Sequence, residues 1–234
     1  MLKRTSLLPF NYRMVRLPGK EQLHQILKAC NEKAIKLPVP LLRRLYEHSL
    51  PLAVGERCYP HSYIVGESLI ALSASMGDEA KPLLIRALES EEKKIKVSAA
   101  EGLAKLAGID RPVHFVLGRF ERSGYRKLTQ PQKYMYCSYL FDAEVCNGGL
   151  SQFFVNSGCN YISDTSAALH AIGPPEVGQL FDKAIEKIGH LKGQTTAGDL
   201  IEAFGPLDNE YFNYNDVHIQ KQLLYAIENK EHFR

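Results

Sequence analysis

The chain has 234 residues, 45% of them hydrophobic, enough to bury one substantial core or two modest ones without disulfides or a structural metal. No run approaches the roughly 18–20 uninterrupted apolar residues of a membrane-spanning helix, so an integral membrane protein built on such helices is not expected. The net charge of +3 hides a gradient: residues 1–58 carry eleven Lys/Arg against four Asp/Glu, 59–124 nine against nine, and 125–234 nine against thirteen.

The first 20 residues hold Lys3, Arg4, Arg13, Arg16 and Lys20 but no continuous apolar stretch and no small-residue cleavage site, so a secretory signal is not expected. Leu23, Ile26, Leu27, Cys30 and Ala34 then fall at the spacing of one apolar helix stripe. A second helix is expected after Pro38 and Pro40, with Leu41, Leu42 and Leu45 inward and Arg43 and Arg44 in solvent. With Arg13 and Arg16, these two arginines are the candidate basic patch. Such a patch suits either nucleic acid or an ordinary solvated face.

From about residue 62 the pattern becomes regular. Val65, Leu69, Leu72 and Met76 form a stripe ending at Gly77, and Leu84, Ile85 and Leu88 follow Pro82; about 31 positions later, Val97, Ala100, Leu103, Ala104 and Ala107 end at Gly108, and Val113, Val116, Leu117 and Phe120 follow Pro112. Gly77 and Gly108 suit the left-handed residue past a helix end, and Asp78 and Asp110 suit N-caps. The run 96–108, with Ala99, Ala100, Gly102 and Ala104, resembles the first helix of a HEAT repeat, whose small residues let paired helices approach closely. That resemblance covers about two repeats and implies a binding surface.

After Ser123-Gly124 a helix is expected over 131–145, with Tyr134, Cys137, Ser138, Phe141 and Val145 on one face, until Gly148-Gly149 ends or turns it. A short helix holds Phe153 and Phe154. Ser163 or Asp164 would cap another carrying Ala167, Ala168, Leu169 and Ile172. The clearest stripe follows, Val177, Leu180, Phe181, Ala184, Ile185 and Ile188, and two helices over about 197–204 and 216–230 complete the chain, the first with Thr196 and Asp199 spaced as a capping box. No alternating strand pattern appears, so the fold class is all-α: HEAT-like hairpins over 1–124, then a compact helical domain over 125–234.

The five cysteines match neither a disulfide framework nor a zinc site, which suggests free thiols in a reducing cytoplasm. The eight histidines show no metal-ligand spacing, and no metal or cofactor is expected.

Over 139–173 the chain reads Asp142-Ala-Glu144, then Asn147-Gly148-Gly149, Gln152-Phe153-Phe154, Asn156-Ser157, and an Ala-Leu helix ending in Ile172-Gly173. Together with Leu207-Asp208-Asn209-Glu210-Tyr211 and the closing Leu223-Leu224-Tyr225-Ala226 helix, this resembles the C-terminal domain family of bacterial DNA-mimic proteins. The resemblance spans about 129–234 and implies a non-enzymatic, protein-binding role, with a homodimer as one arrangement. Mimicry of DNA needs a dense carboxylate array, and the chain as a whole is positive. A local acidic remnant remains: Asp199, Glu202, Asp208, Glu210 and Asp216, with no Lys or Arg between 193 and 220, are the partner-contact candidates.

Three readings follow. The first is a protein-binding module of adaptor or inhibitor type that regulates a nucleic-acid-binding protein. The second is a nucleic-acid binder using the basic N-terminal helices. The third is an enzyme centred on Glu144 and Asn147, since Glu144, Asn147, Gln152 and Asn156 are spaced to converge near a turn. The motif also has a purely structural account, as turn chemistry at Asn147-Gly148-Gly149 and satisfaction of helix-end groups by Gln152 and Asn156.

Overall fold

A computed structural model describes residues 19–53, 59–156, 160–191 and 197–234. Among these residues the structure is all-helical, with no strand. The order is α1 (Lys20–Glu32), α2 (Val39–Ser49), α3 (His61–Met76), α4 (Lys81–Ala87), α5 (Lys93–Leu106), α6 (Pro112–Ser123), α7 (Gln130–Val155), α8 (Ile162–Ile172), α9 (Pro175–His190), α10 (Ala197–Tyr211) and α11 (Asn215–Glu228). Among the described residues no helix is long and apolar enough to cross a membrane.

The centre of the N-terminal half is α3, which packs against α1, α2 and α5. Contact on several sides explains why its residues from His61 to Ser73 are almost all buried, far beyond the single stripe legible in sequence. Small residues set how closely these helices approach: a Cβ added to Gly66 of α3 would collide with Ser98 of α5, and one added to Gly102 of α5 would crowd Leu84 of α4. In turn α5 packs on α4 and on α11, while α6 packs on α7. In the C-terminal half α7 lies against α8, α10 and α11, and α9 against α8 and α10.

Between the halves α11 is the shared element. Ala226, with Leu223 and Ile227 partly buried, enters one apolar cluster with Ala104 of α5, Val116 of α6 and Met135 of α7. Lys93 adds a hydrogen bond from Nζ to the Asn213 carbonyl (3.0 Å), and the Arg234 guanidinium donates to the Ala107 carbonyl.

Several local expectations are corrected. Gly77 and Gly108 do take positive φ, +61° and +76°, but neither Asp78 nor Asp110 is an N-cap. Asp78 lies in a 3₁₀ turn and pairs with Lys81 (2.9 Å), and the cap of α6 is Arg111, in the left-handed region, where the following Pro112 disfavours a right-handed helical residue. Tyr161 rather than Ser163 or Asp164 precedes α8, and Asp164 accepts a hydrogen bond from the Tyr125 hydroxyl (2.6 Å). Ile26, Leu41 and Ile85 are exposed although each was placed on an inward stripe, and Ala34 lies beyond the end of α1. The helix expected over 197–204 runs on through Pro206 to Tyr211. Leu200, Phe204 and Tyr211, spaced at i, i+4 and i+11, are buried in one core with Leu207 against it, and this burial outweighs the one lost backbone bond at proline. Thr196, half of the expected capping box, lies outside the described residues.

Candidate functional site

The polar motif sits where α7 bends. Gly148 (φ −156°, ψ 20°) and Gly149 (φ 78°, ψ −179°) interrupt the helical backbone, so α7 is two helical segments joined at a kink. A Cβ on Gly149 would overlap the Asp208 carboxylate and one on Gly148 would displace the Gln152 amide from the clasp, and at Gly149 the positive φ favours glycine as well.

Around the kink the motif residues satisfy one another. The Glu144 Oε2 accepts from Gln152 Nε2 (2.6 Å) and Asn156 Nδ2 (2.8 Å), while Gln152 Oε1 accepts from Asn147 Nδ2 (3.1 Å). Ser151 Oγ donates to the Gly148 carbonyl (3.1 Å). From α10, Asp208 Oδ1 accepts the Leu150 backbone N–H (2.8 Å), capping the second segment of α7. Glu144, Asn147, Gly148, Gly149, Gln152 and Asn156 are therefore brought together as a clasp across the bend, with one carboxylate oxygen of Glu144 occupied by two amides.

A second set of polar contacts adjoins the clasp through Asp142 and Cys146. Tyr211 donates to Asp142 Oδ1 (2.5 Å), Cys146 Sγ lies 3.6 Å from the same oxygen, and Asn215 Nδ2 lies 3.8 Å from Cys146. Burial pushes the Cys146 thiol above its ordinary range, and Asp142 beside it adds to the shift, which disfavours the nucleophilic thiolate. Deeper still, Ser138 Oγ is 2.9 Å from His218 Nε2 and accepts from Gln222 Nε2 (3.0 Å). Ser138 and His218 are both fully buried, His218 Nδ1 has no partner, and burial holds its imidazole below the ordinary value. The nearby acid, Asp142, is bonded to Tyr211 rather than to that Nδ1, so the trio lacks the geometry of a nucleophile relay. The available signal was the spacing of Ser138, Asp142 and Cys146 along one face of α7, and of His218 and Gln222 on α11.

The acidic candidates divide by role. Asp199 and Glu202 are exposed on α10; Glu210 is partly exposed, 3.8 Å from Lys183. Asp216 lies near Cys146 and Tyr211, and Asp208 is part of the clasp. Of the basic candidates, Arg43 reaches Met76 Sδ (3.9 Å) and Arg44 is exposed, both on α2; Arg13 and Arg16 lie outside the described residues. Among the described residues no three His, Cys, Asp or Glu side chains are grouped to hold a metal.

Burial raises the Asp208 carboxyl above its ordinary value, opposed by the hydrogen bond from Leu150. A carboxyl raised on folding binds its proton more readily in the folded state, so it adds stability as pH falls from neutral through the folded-state value. Asp208→Asn keeps an oxygen for Leu150 and cannot titrate. The parent is therefore expected to gain on this variant in urea denaturation between about pH 7 and about pH 4; a parent that loses ground over that window contradicts the assignment.

No curated protein and no solved structure matches the chain. A family model described as DMP19-like protein matches residues 126–229, so the part of the chain built from α7 to α11 carries a DMP19-like domain.

Proposed function

We propose that this protein binds another protein through the acidic surface of α10 and the adjoining start of α11, and so regulates a nucleic-acid-binding partner rather than catalysing a reaction. The observation that supports this most is the location of the acids within the DMP19-like region. Residues 126–229 carry twelve Asp/Glu against seven Lys/Arg, and the stretch 193–220 has acids without a single Lys or Arg. Asp199 and Glu202 are exposed there, on a helix whose other face is fixed by Leu200 and Phe204 in the core. A rigid acidic face complements a protein surface shaped for phosphates. Because the whole chain is +3, the complementarity is local, and the partner meets this face rather than an envelope of negative charge.

Charge reversal tests it. The tagged full chain and its Glu202→Lys/Glu210→Lys double variant are used to capture partners from native cells, and affinity is then measured with the purified partner. The double variant is expected to bind about ten- to a hundredfold more weakly, with the difference shrinking in added salt. Asp208→Asn, at the clasp, should bind as the parent does. Equal recovery by parent and double variant would remove this surface from the interaction.

A further inference from the structure

We propose that the groove bordered by α1, α3 and α5 receives an arginine or lysine side chain of a partner polypeptide, with the Glu67 carboxylate as its counter-charge. This proposal does not rest on the acidic surface of α10.

The groove encloses about 660 Å³, within the usual range for small-ligand and side-chain sites. Glu67 lines it from the middle of α3, whose other ionisable side chains are His61 and Tyr63. Only 7% of Glu67 is exposed. Asn31 of α1 holds it in place, donating from Nδ2 to Oε2 (2.7 Å) and to the Glu67 carbonyl (2.9 Å). That amide fixes the carboxylate's direction but brings no positive charge. A carboxylate withdrawn from water strongly favours a cation beside it.

The described cations do not fill that role. Among the described residues none forms an ion pair with Glu67. Lys94 stands over the Tyr63 ring (5.2 Å), and Lys105 lies 3.6 Å from Glu101. His24 senses Glu67, but burial keeps its imidazole below the ordinary value, so it is neutral at neutral pH. The remaining charges, Lys28, Glu32, Asp110 and Arg111, are at the exposed rim, where water and salt screen them. The deep charge therefore sets the sign of the ligand. Ile35 and Ile70 supply apolar wall for the methylene stem of a long cationic side chain.

The test is an NMR titration of the ¹⁵N-labelled full chain with acetyl-Gly-Arg-Gly-amide, with acetyl-Gly-Glu-Gly-amide for comparison. The arginine peptide is expected to shift the Asn31 side-chain amide and the Gly108 amide saturably, and the glutamate peptide to leave them unmoved. Glu67→Gln should weaken binding about tenfold or more. Ile35→Lys, at an exposed position where folding is not at stake, places a competing ammonium in the groove and should do the same. Glu202→Lys/Glu210→Lys should leave the titration unchanged, which separates this site from the surface proposed above. Unmoved signals up to about 10 mM peptide, undiminished binding in both Glu67→Gln and Ile35→Lys, preference for the glutamate peptide, or loss of binding in the Glu202/Glu210 variant would each overturn the proposal.

Discussion

Gly149→Ala is expected to lower the unfolding free energy by about 2–4 kcal/mol, since three costs fall on one atom. At φ 78° an L side chain is strained by about 1–2 kcal/mol. The added Cβ also claims the space of the Asp208 carboxylate, which must retreat. Its retreat uncaps Leu150, and a partly buried N–H left unpaired costs about 1–3 kcal/mol. Gly189→Ala, exposed near the end of α9 with no atom within 4 Å of the added Cβ, is the control and should be neutral or gain up to about 1 kcal/mol from helix propensity. Urea denaturation of the two variants decides: a Gly149→Ala protein within about 0.5 kcal/mol of the parent would mean that the clasp does not hold the bend.

Phe141→Ala should cost more, about 3–5 kcal/mol. The fully buried Phe141 ring meets Phe153 (5.6 Å), Phe181 (5.3 Å) and Tyr211 (5.1 Å) edge to face, joining both segments of α7 to α9 and α10. Its removal opens a cavity among elements that cannot all close in on it, since α7 is held at the kink and again by Gln132, whose amide bonds the His232 carbonyl (2.6 Å). Phe141→Leu keeps much of the volume and should lose less than half as much. Thermal or chemical unfolding reads both, and an alanine variant losing under about 1 kcal/mol would show that the core repacks freely.

Sequence periodicity read best where one face of a helix packs and the other meets water. The stripe from Val177 to Ile188 along α9 is the clearest case, with Val177, Leu180, Phe181 and Ala184 buried and Asp182, Lys183, Glu186 and Lys187 outside. It read poorly where a helix packs on several sides. In α3 the whole circumference is used, and in α11 the buried residues include His218, Gln220 and Gln222, which no apolar pattern would select. In α10 the end expected near residue 204 is overridden by Leu207 and Tyr211, which continue the packed face past Pro206. Convergence of Glu144 with Gln152 and Asn156 was visible because all three lie within one helix-turn-helix span of sequence. Asp208 on Leu150 and Asn31 on Glu67 were not, because each joins residues 36 to 58 positions apart, where spacing carries no signal.

The position of α11 has a bearing on how the chain is made. The helices it packs on, α5, α7 and α8 among them, come earlier in the chain, and contact with α5 closes a loop running from residue 106 to residue 215. At roughly 5–20 residues per second of synthesis, the surface of α5 waits on the order of ten seconds for its cover. During that interval the nascent N-terminal helices present Ala104 and its apolar neighbours to the cell, so this stretch is where a ribosome-associated chaperone would find a client.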